Sequence, residues 1–427
     1  MLRIKIVDQG DPSEKFHVNS EDLISLNTFL RSEDYLTRKI IIKPYSNNMI
    51  TIQGKNTAGI VKFGSFQLII QPKILGEERT ILEALSLIGT IDMVRLDHGT
   101  GLVEPSNMLD LIFLIFLGQI EELLRRGIYR GYVTNTSELT FLRGKIKFAE
   151  SMNSLKERNR LMCEYDIYIG ENIENQIICT VLKYGLDVVD NPRIKSRTLH
   201  YYRQFKNFTS QLPFPFNFEF EQLSYNSKNF YYRPVHQTAK FILEQLSIVD
   251  FTKSGGLGFN FSWLVDTPKL FEKLIERLFI SLCSDKGIQQ PIYQDRLKLK
   301  FSNKTRIFPN KLPMIDLYIK DANLIVDMKY KNITKDKSIN WSDIYQIMSY
   351  KQIKSTNSAI LLVYPYAGEN EFEYYSTELI NEDQQFITKL HVWQISVPIL
   401  IKTLMKKKSR GQSSQYNAIL KEFVTLL

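Results

Sequence analysis

Apolar and polar positions alternate along much of the first 77 residues, the two-residue period of half-buried β-strands. Leu2-Arg-Ile-Lys-Ile-Val shows it, as do parts of Ile40-Ile-Ile-Lys and Ile50-Thr-Ile. Gly59 to Gly64 followed by Phe66 to Gln71 reads as a hairpin turning at Gly64-Ser65, with Lys55, Lys62 and Lys73 on its outer side. From about residue 78 the period becomes helical. Ile81 to Ile88 is amphipathic, and Leu109 to Arg126 is apolar nearly all round and ends on Arg125-Arg126-Gly127, a basic last turn with a glycine cap. Strand-like pieces come next at Tyr129 to Asn135 and Leu139 to Phe148, then helices at Asn175 to Val188 and Gln237 to Leu246. Gly255-Gly256 reads as a linker. Beyond it lie a helix around Phe271 to Ile280, buried strands at Ala359 to Tyr366 and Lys389 to Ser396, and a helix ending in the basic cluster Lys406 to Arg410. The pattern predicts an α+β multidomain chain: a small β-rich module at 1–77, a mixed helical and β domain at 78–255, and an α/β domain at 256–427.

Within the third region, 314–319 and 324–330 are strand-like runs joined by the turn-forming tetrad Lys320 to Asn323. Alternation along a strand puts Asp327 and Lys329 on one face, and Asp316 on the partner strand can face them. Two carboxylates this close repel unless a divalent cation lies between them, and a hard ion such as Mg²⁺ takes oxygen ligands. Lys329 would polarise the attacking water, while the ion would stabilise charge developing on a scissile phosphate. Glu272, at the start of a core-facing helix, offers a third carboxylate, and Glu276 one turn later is the substitute. Gln346 and Tyr350, four apart on a helix, suit holding the lysine and a phosphate. Alone, an Asp-x-Lys after an apolar run is also the solvated end of a strand. The ordered set is what points to a metal-dependent nuclease.

Composition narrows the setting. Among 427 residues, 55 basic against 46 acidic side chains leave a formal charge of +9, which favours a polyanionic partner. Cys163, Cys179 and Cys283 are far apart with no CxxC, so neither a zinc site nor a disulfide framework is indicated and a reducing cytoplasm is the simplest setting. His17, His98, His200, His236 and His391 are scattered, without metal-ligand spacing. The apolar run at 108–118 is interrupted by Asp110, so it reads as a buried helix and no membrane span is expected. No G-x-x-x-x-G-K-[ST] loop occurs, so the chain is not expected to be a nucleotide-driven motor.

The order of a Phe271-Glu272 helix, Leu312-Pro313-x-x-Asp316, Val326-Asp327-x-Lys329-Tyr330, Tyr345-Gln346-x-x-x-Tyr350 and Ala359 to Pro365 resembles the C-terminal half of McrC, the nuclease subunit of McrBC-type restriction systems. Upstream, Leu123 to Tyr132, Phe141 to Phe148, Cys163 to Asp166 and Glu174-Asn175 to Lys183 recur in family order, so the resemblance covers about residues 78 to 400. One departure is that Ile315, not proline, precedes Asp316. The resemblance implies a C-terminal PD-(D/E)xK, restriction-endonuclease-like domain, with Asp316, Asp327 and the Met328 carbonyl as Mg²⁺ ligands, Glu272 as an auxiliary ligand, and Lys329, Gln346 and Tyr350 completing the site. It further implies a middle domain that forms a β-finger reaching into the ring of a McrB-like AAA+ GTPase hexamer. GTP would be bound by that partner, double-stranded DNA bearing a modification, 5-methylcytosine in the systems that name the family, would be the substrate with the triggering modification left open, and higher-order assembly would run through the partner.

Arg143 and Lys145 on the Gly144 turn are the candidates for stimulating the partner's GTPase; Phe141, Leu142, Ile146 and Phe148 are expected to supply the hairpin's own packing. Two alternatives stay open. The chain could itself supply DNA sequence recognition through residues 1–77, or it could be a non-cleaving adaptor that only activates the GTPase, which the intact D…DxK argues against.

Overall fold

The computed structural model describes residues 2–8, 10–18, 39–46, 48–63, 66–74, 78–89, 108–151, 160–210, 220, 223–245, 261–296, 314–331, 333, 338–354, 358–366, 372–380, 386–408 and 414–427. The Gly64-Ser65 turn, Pro313, Gly255-Gly256 and Arg410 lie outside them. Two compact units emerge, one of residues 1–90 with 249–427 and one of residues 91–248.

The first unit starts with β1 (Leu2–Val7), β2 (Phe16–His17), β3 (Ile40–Pro44), β4 (Met49–Gly54), β5 (Thr57–Phe63), β6 (Phe66–Gln71) and α1 (Glu78–Leu87). In the second unit come α2 (Met108–Arg126), β7 (Gly131–Leu139), β8 (Lys145–Ile146), β9 (Leu161–Ile169), α3 (Ile173–Val188), α4 (Pro192–Lys206) and α5 (Arg233–Gln245). The chain returns to the first unit with β10 (Phe261–Asp266), α6 (Thr267–Lys286), β11 (Ile292–Arg296), β12 (Met314–Ile319), β13 (Leu324–Met328), α7 (Trp341–Lys354), β14 (Ala359–Tyr366), β15 (Phe372–Ile380), β16 (Phe386–Ser396), α8 (Val397–Lys408) and α9 (Ser414–Leu426). The result is a mixed α/β, multidomain architecture.

A six-stranded sheet in the order β11-β12-β13-β14-β16-β15 dominates the first unit. On one face Ile325, Ile360, Leu362, Leu390 and Val392 pack against Ile344, Ile347 and Tyr350 of α7. On the other, Phe279 of α6 stacks on Trp393 at 5.6 Å and meets Phe423 of α9 at 5.9 Å. Both faces are thus covered, which is why β13 and β14 read as continuous apolar runs.

Residues 1–77 do not stand apart as a separate module. β10 pairs antiparallel with β5 and so joins the sheet β1-β6-β5-β10. The junction is tight at Gly59, whose φ is +144° and where an added Cβ would stand 2.0 Å from the Trp263 carbonyl oxygen. No side chain fits there without prising β10 off β5. Gly59→Ala is expected to destabilise the first unit by about 1–3 kcal/mol, read as a lower urea midpoint. An unchanged midpoint would show that the two strands separate at no cost.

Candidate active site

The β12–β13 hairpin forms because its turn can. Asn323 adopts φ 46°, a left-handed conformation that asparagine tolerates better than most residues. Its amide donates to the Lys320 carbonyl at 3.1 Å, and its own carbonyl accepts the Ala359 amide at 3.0 Å. The side-chain oxygen accepts from Tyr318 at 3.1 Å and Ser358 at 2.7 Å. The turn is thereby pinned to the start of β14 and the register is set: Leu317 lies opposite Val326. One step further along, Asp316 comes level with Asp327, at the point where the apolar face beneath α7 ends.

The side chains at that end form a connected set. Asp316 Oδ2 accepts the Met328 amide at 2.8 Å. Lys329 Nζ donates to Asp327 Oδ1 at 3.2 Å and to Gln346 Oε1 at 2.9 Å. Gln346 Nε2 in turn donates to the Tyr350 hydroxyl at 2.6 Å. The ammonium is therefore aimed from two sides. Asp316, Asp327, Lys329, Gln346 and Tyr350 come together as expected, on one hairpin and one helix.

Electrostatics mark the set as short of positive charge. Burial first, and then the neighbouring Asp316 carboxylate, push Asp327 up to about 6 despite the Lys329 cation. Asp316 is raised by burial against the help of the Met328 amide and Lys329. Burial works against the Lys329 ammonium, yet the carboxylates of Asp327, Asp316 and Asp343 outweigh it and its pKa rises. Both Asp327 oxygens depend on the same ammonium: Lys329 Nζ lies 3.2 Å from Oδ1 and 2.9 Å from buried Oδ2. Two buried carboxylates on adjacent strands that share a single ammonium remain short of positive charge. The Asp316–Asp327 pair therefore fits a hard divalent ion.

Glu272 sits one turn into α6, which Asp266 caps by accepting the Lys269 amide at 3.0 Å. Lys39 holds that cap from the N-terminal segment through a 2.7 Å ion pair. Burial and then the charges of Asp316 and Asp266 raise Glu272 to about 7, so its carboxyl feels one member of the aspartate pair. Even so, among the described residues no group of three His, Cys, Asp or Glu side chains is gathered to hold a metal. Glu276, the substitute, has its main-chain carbonyl accepting from Tyr293 at 3.0 Å, and its charge acts on that tyrosine. Asp343 is not among the candidates drawn from the sequence. It is buried, accepts from Lys331 at 2.8 Å and Tyr364 at 3.0 Å, and its charge reaches both Asp327 and Lys329. The signal that could have found it is an acid three residues before Gln346 on one helix. At the basic C-terminal cluster, Lys407 is committed to Asp285 at 2.6 Å.

In the second unit β7, β9 and β8 form a three-stranded antiparallel sheet, with β7 and β9 paired from Gly131–Ile169 to Leu139–Leu161. Nine pairs make a ribbon roughly 30 Å long. Against its middle, beside the Asn135–Tyr165 pair, lies Gly144 at φ 70°, where an added Cβ would meet the Glu164 carbonyl at 2.2 Å. The strand expected over 139–148 is only Lys145–Ile146, because the chain must close in on β9 through that glycine. Arg143 stacks over the Tyr165 ring at 4.2 Å and Lys145 is exposed, while Asp166 accepts from Thr134 at 2.9 Å and Lys147 pairs with Glu164 at 3.2 Å. Phe141, Leu142 and Phe148 do not pack the hairpin as expected; they are 60%, 62% and 73% exposed. The tip is held instead by buried Cys163 and by Ser151, which accepts the Met162 amide at 2.9 Å.

The ribbon's base is clasped by buried polar groups. Asn175 donates to the carbonyls of Tyr129 at 2.9 Å and Gly170 at 2.8 Å, the residues just outside β7 and β9. Tyr232 donates to Asn175 at 2.7 Å and accepts the Tyr129 amide at 2.8 Å. Beside them His236 contacts the Glu174 carbonyl at 3.0 Å and the Tyr225 hydroxyl at 2.9 Å, and burial holds its pKa down at about 4. An unfolded histidine binds a proton near ~6.5, so stability from this group is complete above that pH and is lost as pH falls from about 6.5 toward 4. The urea midpoint is expected to fall between about pH 7.5 and about pH 5, with a shallower fall in His236→Gln. Parallel pH slopes for both proteins would remove His236 from the account.

No helix among the described residues is long and apolar enough to cross a membrane. Over most of its length the chain is similar to restriction-system proteins. It shares 24% identity with the Type IV methyl-directed restriction enzyme EcoKMcrBC of Escherichia coli (strain K12), over 279 residues that are 62% of this chain and 78% of that protein. A half-complex from a tetradecameric assembly of Thermococcus gammatolerans McrB AAA+ hexamers with bound McrC contains a chain with the same fold. The TM-score is 0.68 at 15% identity, covering 95% of this chain and 99% of that one. The cryo-EM structure of the Thermococcus gammatolerans McrBC complex matches with a TM-score of 0.51 at 18% identity, over 66% and 88%. The family described as McrBC 5-methylcytosine restriction system component matches residues 52–365, a span holding every residue of the site above and most of the chain, and the protein belongs to that family.

Proposed function

We propose that the chain is the endonuclease subunit of a GTP-dependent McrBC-type restriction system, with residues 256–427 folded as a PD-(D/E)xK nuclease domain. The observation that carries this is the Asp316–Asp327–Lys329–Gln346 set, in which two buried, raised carboxylates share one ammonium aimed by Gln346. Asp316, Asp327 and the Met328 carbonyl would hold Mg²⁺, with Glu272 as auxiliary ligand. When bound, the ion supplies charge neutralisation at the scissile phosphate and lowers the pKa of a bound water. Lys329, fixed by Gln346 and through it by Tyr350, orients that water for attack on phosphorus as one P–O ester bond breaks. A single such centre cuts one strand, so a double-strand break needs two copies. One Thermococcus gammatolerans neighbour is a McrC bound to McrB AAA+ hexamers, and the ribbon at 131–169, with Arg143 against its middle, is the part of this chain that would contact such a partner and stimulate its GTP hydrolysis.

Incubating 5-methylcytosine-containing plasmid with this chain, a McrB-like partner and GTP tests the proposal. Linear product is expected with Mg²⁺ and not with EDTA added before the DNA. Equal cutting in EDTA, or no cutting under any metal and GTP condition, would sink the nuclease reading.

A further inference from the structure

Two large aromatic side chains stand in water beside the site, on the first two turns of α7. Trp341 is 63% exposed and Tyr345 64%, one helical turn apart, with ring centroids 5.8 Å apart and planes tilted by 31°. They are not part of the core, which takes Ile344, Ile347 and Tyr350 from the other side of the helix. The chain's other tryptophans, Trp263 and Trp393, are 1% and 0% exposed. Leaving a tryptophan and a tyrosine in solvent forgoes a substantial hydrophobic gain, and an exposed aromatic pair needs something flat to cover it.

The position says what that is. Tyr345 directly precedes Gln346, which holds Lys329 at 2.9 Å, and Trp341 and Tyr345 bracket Asp343, whose charge reaches Asp327 and Lys329. The aromatic row therefore runs along the helix next to the Gln346–Tyr350 row, about 100° round the axis. Lys331 brings a cation to this end of the helix, contacting Asp343 at 2.8 Å while its side chain remains about half-exposed. Flat apolar rings with a cation at the same helix end, continuous with a phosphodiester-cleaving centre, match nucleic acid, in which a base presents its π-face and the backbone its charge.

We propose that Trp341 and Tyr345 form a stacking shelf for an unpaired or extruded nucleobase of the DNA strand held at the Asp316–Asp327 centre, a deepening that rests on the nuclease reading. Stacking of this kind tolerates any base, so the shelf adds grip on a distorted strand and no sequence preference. It also requires the duplex to open locally beside the cut.

Tryptophan emission tests it directly, because acrylamide can reach Trp341 and not the two buried indoles. The full chain is titrated in Ca²⁺ with a duplex carrying a short single-stranded gap, while anisotropy of a dye on the DNA tracks binding. Saturating DNA is expected to cut the quenching constant at least about twofold. Trp341→Ala and Tyr345→Ala should each weaken gapped-DNA binding about tenfold with unchanged thermal midpoints, and Trp341→Phe should retain most of it. Full quenching of Trp341 with the DNA bound, no binding up to about 100 μM, or equal affinity of the alanine variants would overturn the shelf. So would protection of the Trp341 emission by the AAA+ partner without DNA, which would assign the pair to a protein contact. Plasmid cleavage by the wild type decides the nuclease reading separately: cutting with an unprotected Trp341 removes the shelf alone.

Discussion

Replacing Asp327 or Lys329 by alanine is expected to lower plasmid cleavage at least ~10³-fold while stimulated GTP turnover by the partner stays within about twofold. Asp327 is the buried carboxylate raised by burial and by Asp316, and Lys329 is the cation aimed at it by Gln346. Neither lies in the second unit, whose ribbon is the proposed contact with the motor. The two substitutions should differ in stability. Asp327 is buried beside another carboxylate and is raised to about 6, so Asp327→Asn removes a repulsion and should leave the thermal midpoint unchanged or higher. Lys329→Ala strips Asp327 of its counter-charge and should lower it; Lys329→Met, which keeps the volume, still loses the charge and should do the same. Cleavage at the wild-type rate by Asp327→Ala or Lys329→Ala, with Mg²⁺, GTP and partner present, would remove the assignment. Loss of both cleavage and GTPase stimulation would point to a failed fold instead.

On the ribbon, Arg143→Ala or Lys145→Ala is expected to reduce stimulated GTP turnover at least about tenfold without loss of complex assembly, as removal of a cation acting on a nucleotide site does. Stacking on Tyr165 holds the Arg143 guanidinium at 4.2 Å over a ring whose hydroxyl lies 3.0 Å from Ser137, so the cation is presented on a fixed platform. Arg143→Lys keeps the charge and loses the planar stack, and should fall between wild type and alanine. Turnover within about twofold of wild type for both alanine variants would shift attention to Arg130, since Arg125 and Arg126 already pair with Glu121 and Glu122 at 3.1 and 3.3 Å. Assembly should survive because the exposed Phe141, Leu142 and Phe148 are untouched.

What local pattern controls was legible in the amino-acid order. The β12–β13 hairpin comes from alternating apolar residues around Lys320 to Asn323, and the shared face of Asp327 and Lys329 from strand alternation alone. Gln346 and Tyr350 share a helix face because of their spacing, and Gly127 ends α2 at φ 96° as a C-cap glycine should. Long-range pairing was not legible. Nothing local ties Thr57–Phe63 to Phe261–Asp266, far along the chain, and the Gly59 contact that permits that pairing exists only once the two strands meet. β9 does carry the local strand period, Cys163, Tyr165 and Ile167 alternating with Glu164 and Asp166, but its pairing with β7 on one side and β8 on the other exists only in the assembled sheet. Tertiary structure also decided the electrostatics: Asp316, Asp327 and Glu272 are ordinary carboxylates in sequence, and burial raises all three, with the Asp316 charge adding to the rise of the other two. It decided, too, which aromatics face water, because Ile344 and Ile347 claim the sheet and leave Trp341 and Tyr345 outside.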